Sequence, residues 1–134
     1  MKIPAIRFKP NSRHAELVED FTIRVNDAIF TLRKGFDSDG ASIPKFLWWF
    51  TNPWDSQVVC GAFVHDALYW SKRTSREVAD AVFYAIMKKY GAPFYKRFTI
   101  YCAVRCFGWI FYNFSKTPSK KMIDKYLQIK KSVI

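Results

Sequence analysis

The chain has 134 residues, of which 50% are apolar and 19% aromatic, and its formal net charge is +11 at pH 7. This length and composition predict one domain, residues 1–134, with enough apolar side chains for a core, and they exclude a disordered chain. The charge excess lies at one end, because residues 81–134 hold 11 basic side chains and one acidic side chain. An anionic partner for that end is one interpretation, and a lysine-rich solvated face is the other.

Three cysteines occur in the chain, and their number and spacing predict unpaired thiols. The first residues show no apolar leader, so we expect a protein that is not secreted through a signal peptide and is made in a reducing compartment. Cys102 and Cys106 are four residues apart, but no Cys-x-x-Cys or histidine pair completes a metal site. We therefore expect Cys60, Cys102 and Cys106 to be buried structural thiols.

The N-terminal part, residues 1–50, is predicted to be rich in β-structure. Apolar and polar residues alternate over residues 21–25 and 28–32, and the Asn26-Asp27 pair between them is typical of a hairpin turn. The neighbouring segments are less regular: we expect an irregular arm or a first short strand at residues 1–15, a loop at 35–40, and one or two helical turns at 43–50.

Residues 51–117 are predicted to form a helical body. Capping residues, a terminal glycine and prolines set the expected helix bounds. The predicted helices are residues 53–70 after the cap Asn52, residues 75–90 between the cap Thr74 and Gly91, and residues 94–114. The first two should pair as an antiparallel helical hairpin across the polar break at residues 71–73. The predicted fold class is therefore α+β, with a small N-terminal β-hairpin sheet packed on a mainly helical body.

Two C-terminal segments have compositions that could indicate contact with a membrane. Residues 98–114 contain Arg105 as their only charged residue, but this segment is short for a membrane span and a central arginine disfavours one. We expect instead a buried core helix that covers the hairpin. Residues 118–134 are predicted to contain a basic helix at 119–131, whose apolar stripe among lysines is typical of a helix that lies on a membrane surface.

Candidate catalytic residues stand in register on the predicted helical hairpin. His65 and Asp80 lie equally far from the centre of the break, and residues so placed lie at the same height in an antiparallel hairpin. If their side chains face each other, Asp80 orients the imidazole and leaves its other nitrogen free as a general base. Tyr69, one turn beyond His65, would buttress the pair. These three residues form the candidate catalytic set.

Asp66, next to His65, is a candidate metal ligand. Its carboxylate flanks the same site, and the loop before residue 41 can add oxygen ligands, so Asp66, Asp39 and Gly40 would hold a hard cation such as Ca²⁺. The competing interpretation is structural, with His65 as a core histidine satisfied by Asp80 and Asp66 as a surface charge. Three ionisable groups in an apolar hairpin are costly without a purpose, which puts the two interpretations on an equal footing.

Several motifs of the chain resemble an uncharacterised family of phage and prophage proteins. They are Gly35-Phe36-Asp37-Ser38-Asp39-Gly40-Ala41-Ser42-Ile43-Pro44, His65-Asp66-Ala67-Leu68-Tyr69, and Arg76-Glu77-Val78-Ala79-Asp80-Ala81-Val82-Phe83 with Met87. The resemblance spans about residues 20–110. It implies a phage-encoded protein in the host cytoplasm, associated with the virion or peripherally with a membrane.

A second resemblance supplies a chemistry. His65-Asp66-x-x-Tyr69, followed on the next helix by Asp80-x-x-Phe83, is similar to the catalytic helices of phospholipase A2, and the parvovirus capsid version shares the Thr-Asn-Pro-x-Asp run at 51–55. This resemblance implies that His65 activates water, that Asp80 orients it, and that Asp66 binds a Ca²⁺ ion that stabilises the oxyanion. The glycine-rich calcium loop of those enzymes has no counterpart beyond residues 39–41.

The leading hypothesis is a phage-encoded, phospholipase A2-like hydrolase of a lipid ester. Ca²⁺ is its candidate cofactor, and an anionic membrane surface or phospholipid is its candidate partner. The main alternative is a non-catalytic virion, tail or host-interaction protein that keeps the fold and contacts other phage virion proteins. A nucleic-acid binder using the lysine-rich C-terminus is a third reading, which no known nucleic-acid motif in the chain supports.

Overall fold

The fold is α+β, as predicted, in a computed structural model that describes residues 2–10, 14–40 and 52–131. In chain order the elements are β1 (Ile6–Phe8), β2 (Ala15–Leu17), β3 (Phe21–Val25), β4 (Ala28–Leu32), β5 (Asp37–Ser38), α1 (Val59–Ser71), α2 (Arg76–Lys89), α3 (Phe94–Phe114), α4 (Lys120–Tyr126) and β6 (Leu127–Lys131). The turns predicted for residues 43–50 lie outside the described residues.

Within the described residues, two antiparallel sheets of three strands each form the β part, in the orders β1-β2-β5 and β3-β4-β6. The β3–β4 hairpin is confirmed, and Asn26 in its turn adopts the positive φ of 55° that such turns require. The expected loop at 35–40 contributes a short strand, because Asp37 and Ser38 pair with Glu16 and Ala15 of β2. Strands this short carry no periodic signal, which is why the sequence did not reveal β2 and β5.

The helix predicted for residues 119–131 is wrong beyond its first two turns. Ser119 caps α4 by accepting a hydrogen bond from the Met122 N–H, but the helix ends at Tyr126. The chain then forms β6, which pairs along β4 from Leu127 opposite Leu32 to Lys131 opposite Ala28. The free edge of β4 offers backbone partners to this segment, and that tertiary pairing overrides the helical pattern of its side chains.

The starts of α1 and α2 differ from the predicted bounds. Asn52 caps a turn rather than a helix: its side chain accepts the Trp54 N–H, and the Asp55 side chain accepts the Gln57 N–H. These side chains hold the chain in successive turns, so α1 begins only at Val59. The cap of α2 is Ser75, whose Oγ accepts the Val78 N–H, one residue after the predicted cap Thr74.

The helices α1 and α2 form the predicted antiparallel hairpin at the centre of the core. Gly61 on α1 packs so closely on α2 that a Cβ at this position would lie 2.7 Å from Phe83 Cδ1. Nearly all of α1 is buried, between α2 and the sheets. His65 on α1 and Asp80 on α2 are therefore buried inside the molecule, whereas Glu77, Lys88 and Lys89 of α2 stay exposed.

The prediction that α3 is a buried core helix is wrong. Only Ile100, Val104 and Gly108 are buried, and several large apolar side chains of this helix are exposed. The expectation of buried thiols fails on the same helix, where Cys106 is exposed and Cys102 half-buried, whereas Cys60 is buried. None of the helices in the described part of the chain combines the length and the apolarity that crossing a bilayer requires.

Candidate functional site

The centre of the site is a buried contact between α1 and α2. His65 Nε2 lies 2.7 Å from Asp80 Oδ1, and the two side chains are 2% and 0% exposed. At this distance from an ionised carboxylate, Nε2 carries the proton and donates it in a hydrogen bond. The two side chains that sequence register placed at the same height therefore face each other.

Asp80 accepts three hydrogen bonds and lies near a fourth group. The Tyr69 hydroxyl donates to Oδ1 at 2.6 Å, and Arg105 Nη1 donates to Oδ2 at 2.8 Å. Arg76 Nη1 lies 4.0 Å from Oδ2 and also donates to the carbonyls of Val104 and Arg105. Two cations from different helices thus compensate one fully buried carboxylate.

Tyr69 reaches Asp80 because α3 leaves room for its ring. Gly108 on α3 lies so close that a Cβ there would be 2.5 Å from the Tyr69 hydroxyl. The Tyr69 ring also packs on the imidazole of His65, with 4.1 Å between ring centroids, and on Tyr112. The buttressing role expected of Tyr69 is therefore compatible with its contacts to both members of the pair.

The protonation of the pair follows from its surroundings. Burial disfavours the imidazolium, but the nearby carboxylates of Asp66 and Asp80 outweigh burial and raise the pKa of His65. Burial would raise the pKa of Asp80, yet its hydrogen bonds from His65, Tyr69 and Arg105 lower it. Burial and the bond to Asp80 raise the pKa of Tyr69, so its hydroxyl stays a donor. Asp80 is consequently ionised, and it orients the His65 ring.

The second nitrogen of His65 points away from Asp80. Nδ1 is 3.8 Å from Asp66 Oδ1, beyond hydrogen-bond range, and within the described residues it has no hydrogen-bond partner. Asp66 is itself held in place, because its Oδ2 accepts from the Ser38 hydroxyl and, at 3.1 Å, from the Asp39 N–H. Nδ1 is itself buried, next to the carboxylate of Asp66.

A cavity of about 660 Å³ has the His65 side chain in its wall. His65, Asp66, Asp39 and Tyr69 line it, whereas Asp80 and Gly40 do not. Much of the remaining wall is apolar, from Phe36, Trp70, Phe111, Met122 and Tyr126. The cavity is of the size that takes a small organic ligand, with a few polar groups at one point of an apolar wall.

A second histidine and carboxylate line the same cavity. His14 Nδ1 is 2.7 Å from Asp37 Oδ2, and Lys9 Nζ is 3.3 Å from Asp37 Oδ1. These side chains are between 34% and 44% exposed. Both histidines of the two histidine–aspartate pairs therefore line the cavity, one pair being buried and the other partly exposed.

The predicted cation ligands are only partly brought together. Asp66 and Asp39 both line the cavity and supply the carboxylate oxygens that Ca²⁺ prefers, whereas Gly40 donates its N–H to Ser38 Oγ at 3.2 Å. The described ranges contain no group of three or more histidine, cysteine, aspartate or glutamate side chains placed to hold a metal. The donor types fit a hard cation, whose remaining ligands would be backbone carbonyls and water, and the Ca²⁺ site stays a prediction.

A family profile described as "Protein of unknown function (DUF1353)" matches residues 15–104. The chain belongs to this family. No curated protein and no solved structure matches the chain. The residues matched to DUF1353 include His65, Asp66 and Asp80, whereas Arg105 and the cavity wall from Gly108 to Tyr126 lie beyond them.

Sequence reasoning missed two residues that hold the site together. Arg105 was noted only as an obstacle to a membrane span, although a lone charge in an apolar helix is itself a signal of a buried partner. Ser38 gave no comparable signal, because serine is common in any turn-rich loop. In the folded chain, Arg105 binds Asp80 and Ser38 binds Asp66.

Proposed function

We propose that this DUF1353 protein is a hydrolase that attacks a lipid ester with His65 as its general base. The observation that carries the proposal is the orientation of the imidazole. Asp80 holds Nε2, Nδ1 is buried without a hydrogen-bond partner among the described residues, and the His65 side chain lines a cavity. This is the arrangement of a base and its orienting group that hydrolysis requires.

The proposed reaction uses the residues in these positions. Nδ1 of His65 removes a proton from a water molecule as the water oxygen attacks the ester carbonyl carbon. The Nε2–H bond to Asp80 strengthens as the ring becomes positively charged. The imidazolium then returns the proton to the leaving alkoxide, which gives an alcohol and a carboxylic acid. Asp66 and Asp39 would hold a Ca²⁺ ion, which when bound supplies an electrophile for the developing oxyanion.

The cavity wall favours a lipid as the source of the ester. Phe36, Trp70, Phe111, Met122 and Tyr126 form an apolar surface next to the polar groups. An acyl chain buries apolar area on such a surface, at about 25 cal/mol per Å² removed from water. A small, strongly hydrated ester would gain little from it. We therefore place the acyl chain along the aromatic wall and the ester bond next to His65.

Release of fatty acid from phospholipid vesicles tests the proposal, with Ca²⁺ and with a chelator. Wild type should release fatty acid, and His65→Gln should be slower by about 10²- to 10⁴-fold, the usual contribution of a general base. His14→Gln is the matched control, since its ring lines the same cavity beside a carboxylate but is exposed. We expect it to retain most of the activity.

The alternative of a non-catalytic virion or host-interaction protein predicts a different pattern. In that case His65→Gln lowers the free energy of unfolding, and no preparation hydrolyses lipid. Equal rates for wild type and His65→Gln in both ionic conditions, with both proteins folded by circular dichroism, would reject the proposed hydrolase.

A further inference from the structure

The C-terminal half of α3 and the start of α4 expose an unusual amount of apolar surface. Trp109, Phe111 and Phe114 on α3 and Met122 on α4 are between 44% and 77% exposed, and we call these four residues the aromatic rim. Soluble proteins seldom leave large apolar side chains exposed together without a binding partner. Within the rim, Trp109 and Phe114 contact each other with ring centroids 6.3 Å apart.

Two residues of the aromatic rim also line the cavity. Phe111 and Met122 are both cavity-lining and exposed, and they come from different helices. The end of α3 is fixed to the loop between α1 and α2, because Lys72 Nζ donates to the Ser115 carbonyl at 2.6 Å and the Tyr112 hydroxyl donates to the Thr74 carbonyl at 2.8 Å. The rim is therefore a preformed surface, continuous with the candidate active site.

Positive charge follows the rim along the chain. Residues 116–125 contain four exposed lysines and one aspartate, and that aspartate, Asp124, is already paired with Arg73 at 2.9 Å. Two of the lysines, Lys120 and Lys121, directly precede Met122 in α4. Each lysine near an anionic lipid surface adds about 1 kcal/mol of attraction.

We infer that the aromatic rim docks the protein on an anionic lipid surface, with the mouth of the cavity facing the lipid. Tryptophan and phenylalanine flanked by lysines suit the boundary between head groups and acyl chains, where apolar rings insert and ammonium groups meet phosphates. The choice of lipid rather than another partner rests on the proposed function. The aromatic rim is then the part of the protein that contacts the lipid, and the lipid surface that it contacts is negatively charged.

Flotation with vesicles tests the docking separately from hydrolysis. Wild type should float with vesicles of phosphatidylcholine mixed with phosphatidylglycerol and much less with phosphatidylcholine alone. The double variant Phe111→Ser with Phe114→Ser should bind the mixed vesicles at least about tenfold more weakly. Lys120→Glu with Lys121→Glu should weaken binding about tenfold or more, and added salt should weaken wild-type binding.

Phe98→Ser is the matched control. Phe98 lies on the same helix and is 48% exposed, close to the 47% of Phe111, but it stacks on Phe94 far from the cavity. Thirteen residues of helix separate Phe98 from Phe111, about 20 Å along the axis. Phe98→Ser should bind mixed vesicles within about twofold of wild type, whereas equal losses for Phe98→Ser and the rim variants would overturn the assignment of the surface.

The outcomes distinguish a failed docking surface from a failed hydrolase. His65→Gln should float as well as wild type, and Lys120→Glu with Lys121→Glu, at two residues that do not line the cavity, should still hydrolyse a dissolved short-chain ester. Vesicle binding without hydrolysis by wild type retains the docking surface and rejects the hydrolase. If wild type does not bind the mixed vesicles, the docking inference is overturned. It is also overturned if wild type sediments as a dimer, the rim variant sediments as a monomer, and the two bind vesicles equally, because the rim is then a contact between two copies of the chain.

Discussion

Two histidine–aspartate pairs lie at one cavity, which both histidines line, and the pairs differ in burial although their distances are the same. His65 and Asp80 approach to 2.7 Å and so do His14 and Asp37, but the first pair is buried and the second is partly exposed. Asp80 is bound by Tyr69 and Arg105 in addition to His65. Separation alone therefore does not mark a functional pair. Burial and the number of further partners decide whether a carboxylate can fix a ring and change its charge.

The largest expected difference between the pairs is in stability. Asp80→Ala leaves His65, Tyr69 and Arg105 without their shared acceptor, and removing one partner of a buried ion pair costs about 3–5 kcal/mol. Asp37→Ala removes a partly exposed carboxylate and should cost about 1 kcal/mol or less. Urea unfolding of both variants measures the contrast, which similar losses for the two would refute.

The close approach of α3 to the buried pair can be tested at Gly108. An alanine Cβ there would lie 2.5 Å from the Tyr69 hydroxyl, so Gly108→Ala should displace that ring and cost about 2 kcal/mol in the free energy of unfolding. In a Tyr69→Phe background the same substitution should cost less, because the nearest atom is gone. Additive effects of the two substitutions would show that they do not act through this contact.

Arg105 should matter more than an arginine in an exposed pair. Arg105→Met removes a hydrogen bond to a buried carboxylate, and we expect a loss of about 1–2 kcal/mol, reduced because Arg105 is itself 32% exposed. Arg7→Met is the matched control, since Arg7 binds Glu16 on the surface, where solvent screens the pair, and its loss should change stability less than Arg105→Met does. Equal urea midpoints for the two variants would contradict a special role for Arg105.

The pH dependence of stability gives the subtlest contrast. Because the pKa of His65 is raised above 6.5 in the folded chain, its contribution is fully present below pH 6.5 and is lost as pH rises through the raised pKa. The pKa of Asp80 is lowered below 3.8 in the folded chain, so Asp80 stabilises the fold above pH 3.8, and this stabilisation is lost as pH falls through the lowered pKa.

Urea unfolding between pH 5 and 9 measures this contrast, a window that spans the ordinary histidine pKa of about 6.5. Wild type and His14→Gln should lose stability as pH rises above 6.5, and His65→Gln should lose less. A steeper loss in His65→Gln would show that another group carries the pH dependence.

The sequence predicted the site better than it predicted the surroundings. Hairpin register placed His65 at the same height as Asp80, because helix geometry and a short loop leave little freedom in height, but it did not fix whether the two side chains face each other. The same pattern reasoning failed for β6, because residues 127–131 form a strand by backbone pairing with the open edge of β4. It also failed for α3, since apolar composition alone does not tell a buried helix from one that exposes aromatic rings.

Ser38 and Arg105, which bind Asp66 and Asp80, could not be predicted from the sequence for a related reason. Ser38 reaches Asp66 only because β5 pairs with β2 and brings the loop over α1. Arg105 reaches Asp80 only because α3 crosses the helical hairpin near Gly108. Contacts between residues so far apart in the chain depend on how the elements pack, and local periodicity carries no information about that.

The most direct test of the account is a ¹⁵N NMR titration of the two histidines. It predicts that His65 titrates above pH 6.5, that its neutral form carries the proton on Nε2, and that Asp80→Asn lowers its pKa. A His65 pKa at or below 6.5, or a neutral form protonated on Nδ1, would contradict the claim that Asp80 orients this ring as a base toward the cavity.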